Sequence, residues 1–368
     1  MFKLLPTLVL QVLFLSFAMA GVQSGNVTGL SFQLVALSQV APDGNADNSS
    51  SFSTEDLRLP ISTSSQFIYG VSVSIGTGAG TRKKHRVPPF HRLHTVNGCA
   101  FAFSSATGYL SRDTFHLGNG GSGAATESIS GVVFGCAHSI TGFQNGGTLG
   151  GVLSLSPSPL SLPMQLGARR GGRFSYCLPK PTQRNPHTFL RLGADVPSTP
   201  PGAHTTTLAV HPGPKAPGYY LSLVGISLGN KRLDIDQHVF AAGHGCSINP
   251  AETITTIAEP AYLAVEHALV AHMKDLGSNR VKGPLCFDRI NRSVRARLPS
   301  MVFHFEDGAE LWFTVEQLFE VRGSLTACFL EVGRGQHRMV IGAAQQVNTR
   351  FTFDIGAGRL AFTPELCG

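Results

Sequence analysis

The chain has 368 residues, enough for one large domain or two ordinary ones. Apolar residues make up 42% and charged residues 14%, with a net charge of +7; this dry, weakly charged balance excludes a disordered chain. Its one dense basic run, Arg82-Lys83-Lys84-His85-Arg86, comes with no aromatic stacking pattern and no nucleic-acid motif, so nucleic acid is set aside as a partner.

The first 20 residues read as a secretory signal. Lys3 supplies the positive start, an apolar stretch follows from Leu4 to Phe17, and Ala18-Met19-Ala20 gives the small-x-small cleavage pattern. That stretch is too short for a membrane span, and no later one is long enough, so no membrane is expected as a partner. Residues 21–65 are polar and rich in Ser, Asp and Asn, and are read as a propeptide or loose leader. The first strand signal is Phe67 to Ile75, which alternates apolar with small or polar residues and turns at Gly76-Thr77-Gly78. Further strand-like runs stand at Ser130 to Phe134, Gly151 to Leu155, Phe174 to Leu178 and Phe189 to Leu192. The Pro/Gly-rich stretch 197–218 marks a boundary between two lobes. Beyond it Tyr219 to Ile226 opens a second set of strands. Ala261 to Leu276 carries Ala, Leu, Val and Met at helical spacing after Pro260. Strands resume at Met301 to Phe305, Cys328 to Val332, Met339 to Ile341, Arg350 to Asp354 and Arg359 to Phe362. Many short runs broken by 42 Gly and 22 Pro predict a mostly β chain: an N-terminal β lobe over 66–196, a linker over 197–218 and a C-terminal β lobe over 219–368.

Seven cysteines fit an oxidising compartment. They are widely spread with no CxxC pair, which excludes zinc-ribbon and thioredoxin readings. The odd number leaves at least one thiol over or paired between chains. Sequons at Asn26, Asn48 and Asn291 are glycosylation candidates in the same compartment.

Several segments in one order resemble the pepsin-like aspartic peptidases (peptidase A1), in particular the plant nepenthesin-like group. These are Tyr69 to Thr77, Gly108 to Phe115, Phe134-Gly135-Cys136, Leu160 to Leu166 and Phe174 to Leu178 in the first half. In the second half they are Tyr219-Tyr220, Val224 to Ser227, Glu259 to Tyr262, Leu285-Cys286-Phe287, Val340-Ile341-Gly342 with Gln345-Gln346, and Phe353-Asp354. The resemblance covers roughly residue 66 to the end. It implies a bilobal fold of two antiparallel β lobes with few helices and a substrate cleft between them. It also implies disulfides from Cys177 to Cys367 and from Cys286 to Cys328, and leaves Cys99, Cys136 and Cys246 unassigned.

The family's chemistry needs two facing carboxylates that share one proton, so that one acts as base toward water while the other polarises the carbonyl. Each normally sits in an Asp-Thr/Ser-Gly-Ser/Thr turn. The first such turn is expected about a dozen residues after Gly76, where the sequence reads Gly80 to Phe90 and contains no Asp; the N-terminal lobe is therefore read as shortened. The second is expected before the Pro260 helix. There Asn249 holds the aspartate position, and Pro250, Ala251 and Glu252 replace Ser, Gly and Thr. An amide cannot serve as the base. The flap tyrosine has no counterpart between Cys99 and Gly108, and the small turn supporting the first aspartate here reads Val152-Leu153-Ser154.

Other residues do not replace the pair. Asp113 and Asp354 match structural strand positions, Glu252 lacks a partner carboxylate, and His85, His91 and His94 read as surface histidines. No Gly-x-Ser-x-Gly elbow is present. The expected protein is a secreted, non-catalytic family member, extracellular or in the cell wall with the vacuole as alternative. It is expected to be a monomer without cofactor or metal that binds a peptide or protein, a cell-wall glycosidase or a polysaccharide. The competing readings are an aspartic endopeptidase with atypical residues and a decayed gene product.

Overall fold

A computed structural model describes residues 30–36, 69–70, 74–75, 94–102, 106–117, 127–140, 153–170, 172–181, 188–211, 218–241, 245–281, 285–322, 325–329, 332–335 and 339–367. The chain divides into two compact units: residues 1–198, 210–218 and 368 in the first, and 199–209 and 219–367 in the second. Both are mostly β.

In the first unit Ala106–Leu117 is the central strand. It pairs antiparallel with Glu127–Ile140 along one edge, and with Ser74–Ile75 and His94–Ala102 along the other. Phe115, Ile129 and Val132 are buried there, and the Phe115 and Phe134 rings meet edge-on with centroids 5.4 Å apart. Helix Leu162–Arg170 buries Leu162 and Leu166. Gln165 ties it to the sheet as a strand would: its Oε1 accepts from the Val133 amide and its Nε2 donates to the Val133 carbonyl, both at 2.8 Å. A second antiparallel group runs Tyr69–Gly70, Leu30–Ala36, Thr188–Leu192, Arg173–Cys177.

Two expectations differ here. Leu30–Ala36 falls inside the stretch read as a loose leader, yet it pairs over five residues with Thr188–Leu192. Its sequence, Leu-Ser-Phe-Gln-Leu-Val-Ala, alternates as a half-buried strand does. The expected strand at Gly151 to Leu155 is irregular over its described part, residues 153–155. Ser154 and Ser156 hydrogen-bond to each other at 2.9 Å and Pro157 and Pro159 follow, so side-chain bonds and missing donors displace a ladder.

Among the described residues, the second unit holds several β-sheets and one long helix. Lys231–Arg232, Leu223–Leu228, Met301–Phe305 and Glu310–Phe313 form a four-stranded antiparallel sheet. Its inner face is apolar, with Ile226, Met301, Phe303 and Phe313 at 0% exposure and the Phe303 and Phe313 rings edge-on. A short sheet of Glu320–Arg322, Thr326–Cys328 and Cys286–Phe287 carries the Cys286–Cys328 disulfide. Cys177 and Cys367 each take part in a disulfide, whereas Cys136 and Cys246 are free thiols. Helix Glu259–Asp275 starts with Pro260 in its first turn and buries Ala261, Val265, Leu269 and Met273, a stripe at intervals of four, with no measurable exposure. Each of the larger three contributes about 1.5–3 kcal/mol by leaving water.

The expected linker 197–218 is not a plain connection. His204–Thr207 pairs antiparallel with Arg359–Pro364, and residues 199–209 belong to the second unit. Asp307 fastens this strand: its carboxylate accepts from Thr206 Oγ1 at 2.9 Å and from the Thr207 amide at 2.8 Å. The Leu208 amide donates to the Gly358 carbonyl at 2.8 Å. Thr205, Thr206 and Thr207 are β-branched, and that local preference outweighs the Pro and Gly residues around them. Among the described residues, no helix is long and apolar enough to cross a membrane.

Candidate functional site

Asn249, expected at the aspartate position of the second motif, sits on a loop closed around one strand. Cys246–Ile248 and Thr255–Ala258 flank Met339–Ile341, the first parallel to it and the second antiparallel. The chain between them, residues 249–254, therefore has to cross the end of the middle strand.

Backbone bonds hold that crossing. The Asn249 amide donates to the Ile341 carbonyl at 3.0 Å and the Glu252 amide to the Asn249 carbonyl at 3.2 Å. The amides of Ala343 and Ala344 donate to the carbonyls of Glu252 (2.7 Å) and Thr253 (3.0 Å). Gly342 permits the close approach: a Cβ there would stand 2.3 Å from the Ile254 carbonyl carbon and oxygen. Side chains complete the frame. Thr255 Oγ1 accepts from the Gly342 amide at 3.0 Å, and Gln345 Oε1 accepts from the Thr255 amide at 2.9 Å. Gln317 Nε2 donates to the carbonyls of Gln345 and Val347, and Gln345 donates back to the Gln317 carbonyl. Thr255, Gln345 and Gln346 have no exposed surface and Gln317 is buried, so these bonds cannot be exchanged for water.

Asn249 itself is half-buried, and its Oδ1 accepts from the Ala251 amide at 3.0 Å, a turn made by the side chain on its own backbone. A carboxamide in this position donates and accepts hydrogen bonds but takes no proton from water. On the strand leading into the loop, Cys246 is fully buried, and burial pushes its thiol up to about 12, so it stays protonated and inert at neutral pH.

The remaining sequence candidates serve local backbone or lie elsewhere. Asp113 Oδ1 accepts from the Thr114 amide, and Asp354 Oδ1 from the Ala357 amide at a hairpin turn. Asn291 is exposed and caps helix Arg292–Arg295 by accepting from the Val294 amide at 2.9 Å. Asn26, Asn48, His85, His91 and the whole Gly80 to Phe90 stretch lie outside the described residues, as do residues 103–105 of the flap region. Leu153 and Ser154 are half-buried in the irregular stretch that leads to helix Leu162–Arg170. Among the described residues, no cluster of His, Cys, Asp or Glu is arranged to hold a metal. The frame residues Thr255, Gln317 and Gln345 escaped sequence reasoning as a set, since only the fold joins positions so far apart in the chain.

Residues 91–194 match the family described as "Xylanase inhibitor N-terminal" and residues 218–364 the one described as "Xylanase inhibitor C-terminal". The chain belongs to the plant pepsin-like A1 family. Aspartic proteinase nepenthesin-1 of Nepenthes gracilis is 27% identical over 284 residues, 74% of this chain and 62% of its own length. Aspartyl protease 25 of Oryza sativa subsp. japonica is 27% identical over 288 residues, 74% of this chain and 64% of its own. This A1 homologue thus spans less than two thirds of the length of these relatives. Two crystal structures share the fold. Edgp superimposes with a TM-score of 0.67 at 15% identity, over 94% of this chain and 97% of its own. Basic 7S globulin from soybean gives 0.61 at 16%, over 84% and 87%.

Proposed function

We propose that this A1 homologue is a secreted protein that has lost peptide hydrolysis and acts by binding, as an inhibitor of a cell-wall glycoside hydrolase. The observation that carries the reading is the turn at 249–252. The frame around it is intact, yet Asn249 stands where the family's mechanism requires a carboxylate, and its carboxamide is folded onto the Ala251 amide. Pro250, Ala251 and Glu252 replace the other three motif residues, and the stretch expected to carry the first motif contains no Asp. Two acids sharing a proton are the minimum for this chemistry. A rigid turn built on backbone bonds remains useful as a binding surface.

The choice of partner rests on the two family descriptions matched by the chain, both of which name xylanase inhibitors. The secretory reading rests on the signal at residues 1–20, the disulfides and the sequons. Asn291 fits a glycan: it is exposed, and capping uses its Oδ1 while attachment would use its Nδ2.

The test is xylan hydrolysis by a panel of secreted glycoside hydrolases with and without the full chain. Dose-dependent inhibition, with a 1:1 complex on size-exclusion chromatography, is expected. Absence of a complex with every hydrolase, from protein that unfolds cooperatively, contradicts the proposed partner.

A further inference from the structure

The face of the four-stranded sheet opposite the Phe303 and Phe313 core, on which Ser227 and Val302 are themselves buried, carries a hydrogen-bonded chain that the binding reading does not use. Strand register places Arg232, Ser227, Val302 and Trp312 in one row across the sheet, and Gly225, His304 and Glu310 in the next. Residues two apart on a strand share a face, so both rows lie opposite the Phe303 and Phe313 core. Ser227 Oγ lies 2.7 Å from His304 Nε2, and His304 Nδ1 lies 3.0 Å from Glu310 Oε1. With Glu310 as a carboxylate and the imidazole neutral, Nδ1 carries the ring proton toward Glu310, Nε2 is left to accept, and the Ser227 hydroxyl is the donor. This is the connectivity of nucleophile, base and orienting carboxylate.

The surroundings fit. Arg232 lies flat over Gly225, where a Cβ would meet its guanidinium at 2.3 Å, and it donates to the Val224 carbonyl at 2.8 Å. By register Arg232 is the cross-strand neighbour of Ser227, and its guanidinium lies over Gly225, two residues along the same strand and on the same face. Ser227 is nearly flush with the sheet at 7% exposure, which admits only a small acyl group. Trp312, the only tryptophan of the chain, is half-exposed two strands away, ~10 Å at the usual strand spacing, and offers a flat face to the alcohol part of a substrate.

We propose that Ser227, His304 and Glu310 form a second site that hydrolyses short-chain acyl esters of ring-bearing alcohols. Ser227 Oγ bonds to the acyl carbon as its proton passes to His304 Nε2. The ester C–O bond breaks and His304 returns the proton to the leaving alcohol oxygen. Water then attacks the acyl-serine, giving its proton to His304, which passes it to Ser227 Oγ as the carboxylic acid leaves. Ser227 and His304 are the catalytic residues; Glu310 is a positioning residue that fixes the tautomer. The three lie on three strands, which is why no linear motif marks them.

The test uses the full secreted chain, p-nitrophenyl acetate as substrate and a fluorophosphonate probe mapped by mass spectrometry. Saturable hydrolysis above buffer and a label on Ser227 are expected. Ser227→Ala and His304→Gln should each remove both, with a loss of at least about tenfold. Glu310→Gln should lower kcat with KM unchanged, which loss of a merely structural contact would not do. Trp312→Ala should raise KM and spare kcat. Failure to label Ser227 in cooperatively melting protein, or hydrolysis that Ser227→Ala and His304→Gln both leave unaltered, overturns the proposal. Because neither readout involves a glycoside hydrolase, its failure is separate from that of the inhibitor reading.

Discussion

Within the second unit, the four residues of the crossing turn and the frame that holds them have had opposite fates. The frame, made of Thr255, Gln317, Gly342 and Gln345, is buried and fully hydrogen-bonded. The turn, Asn249 to Glu252, is half-buried, and every side chain in it differs from the family motif. The frame is constrained by burial, since any loss there strands a polar group away from water. The turn is constrained only by its chemistry. On the proposed non-catalytic reading, side chains at 249–252 are free to change while the backbone path remains.

Gly342→Ala drives a Cβ into the Ile254 backbone and should cost about 3 kcal/mol in urea unfolding, the largest effect expected here. Gln345→Ala strands the Thr255 amide and the Gln317 carbonyl in a dry interior, for a loss of about 2 kcal/mol, with cooperative unfolding retained.

Asp307 comes next. Burial raises its carboxyl, but hydrogen bonds from Thr206 Oγ1 and the amides of Thr207 and Ala309 outweigh that, and the net shift is downward. A carboxyl lower in the folded state stabilises above the ordinary Asp range, and the contribution disappears as pH falls through its folded value. Asp307→Asn should therefore cost about 0.5–1 kcal/mol near neutral pH, solvent screening included, and the difference should vanish in strong acid. A gap that widens on acidification would contradict this assignment. The smallest effect belongs to the turn: Asn249→Asp keeps an acceptor for the Ala251 amide, so the unfolding midpoint should move by no more than about 0.5 kcal/mol equivalent.

Where side-chain period and punctuation agreed, the sequence was enough. The strands at 174–178, 301–305, 339–341 and 350–354 and the helix after Pro260 are found within a residue or two of their expected bounds. Punctuation misled where a tertiary partner decides the matter. His204–Thr207 sits among Pro and Gly residues, yet Asp307, a hundred residues away, recruits it as a strand. Leu30–Ala36 became a strand by finding Thr188–Leu192. Asn249 could be proposed as a departure from the family's pattern because that motif is linear. The Gln165 clamp, the Gln317–Gln345 pair and the Ser227–His304–Glu310 chain were not, because strand register and long-range packing bring their members together.

The proposed function has the fold outlive its peptidase chemistry. It is tested most directly by incubating the full, secreted chain with a general protein substrate across acidic pH, with and without pepstatin, beside the Asn249→Asp variant. Neither protein should cut, because restoring one acid does not supply its partner. Pepstatin-sensitive cleavage by the unaltered chain would contradict the account.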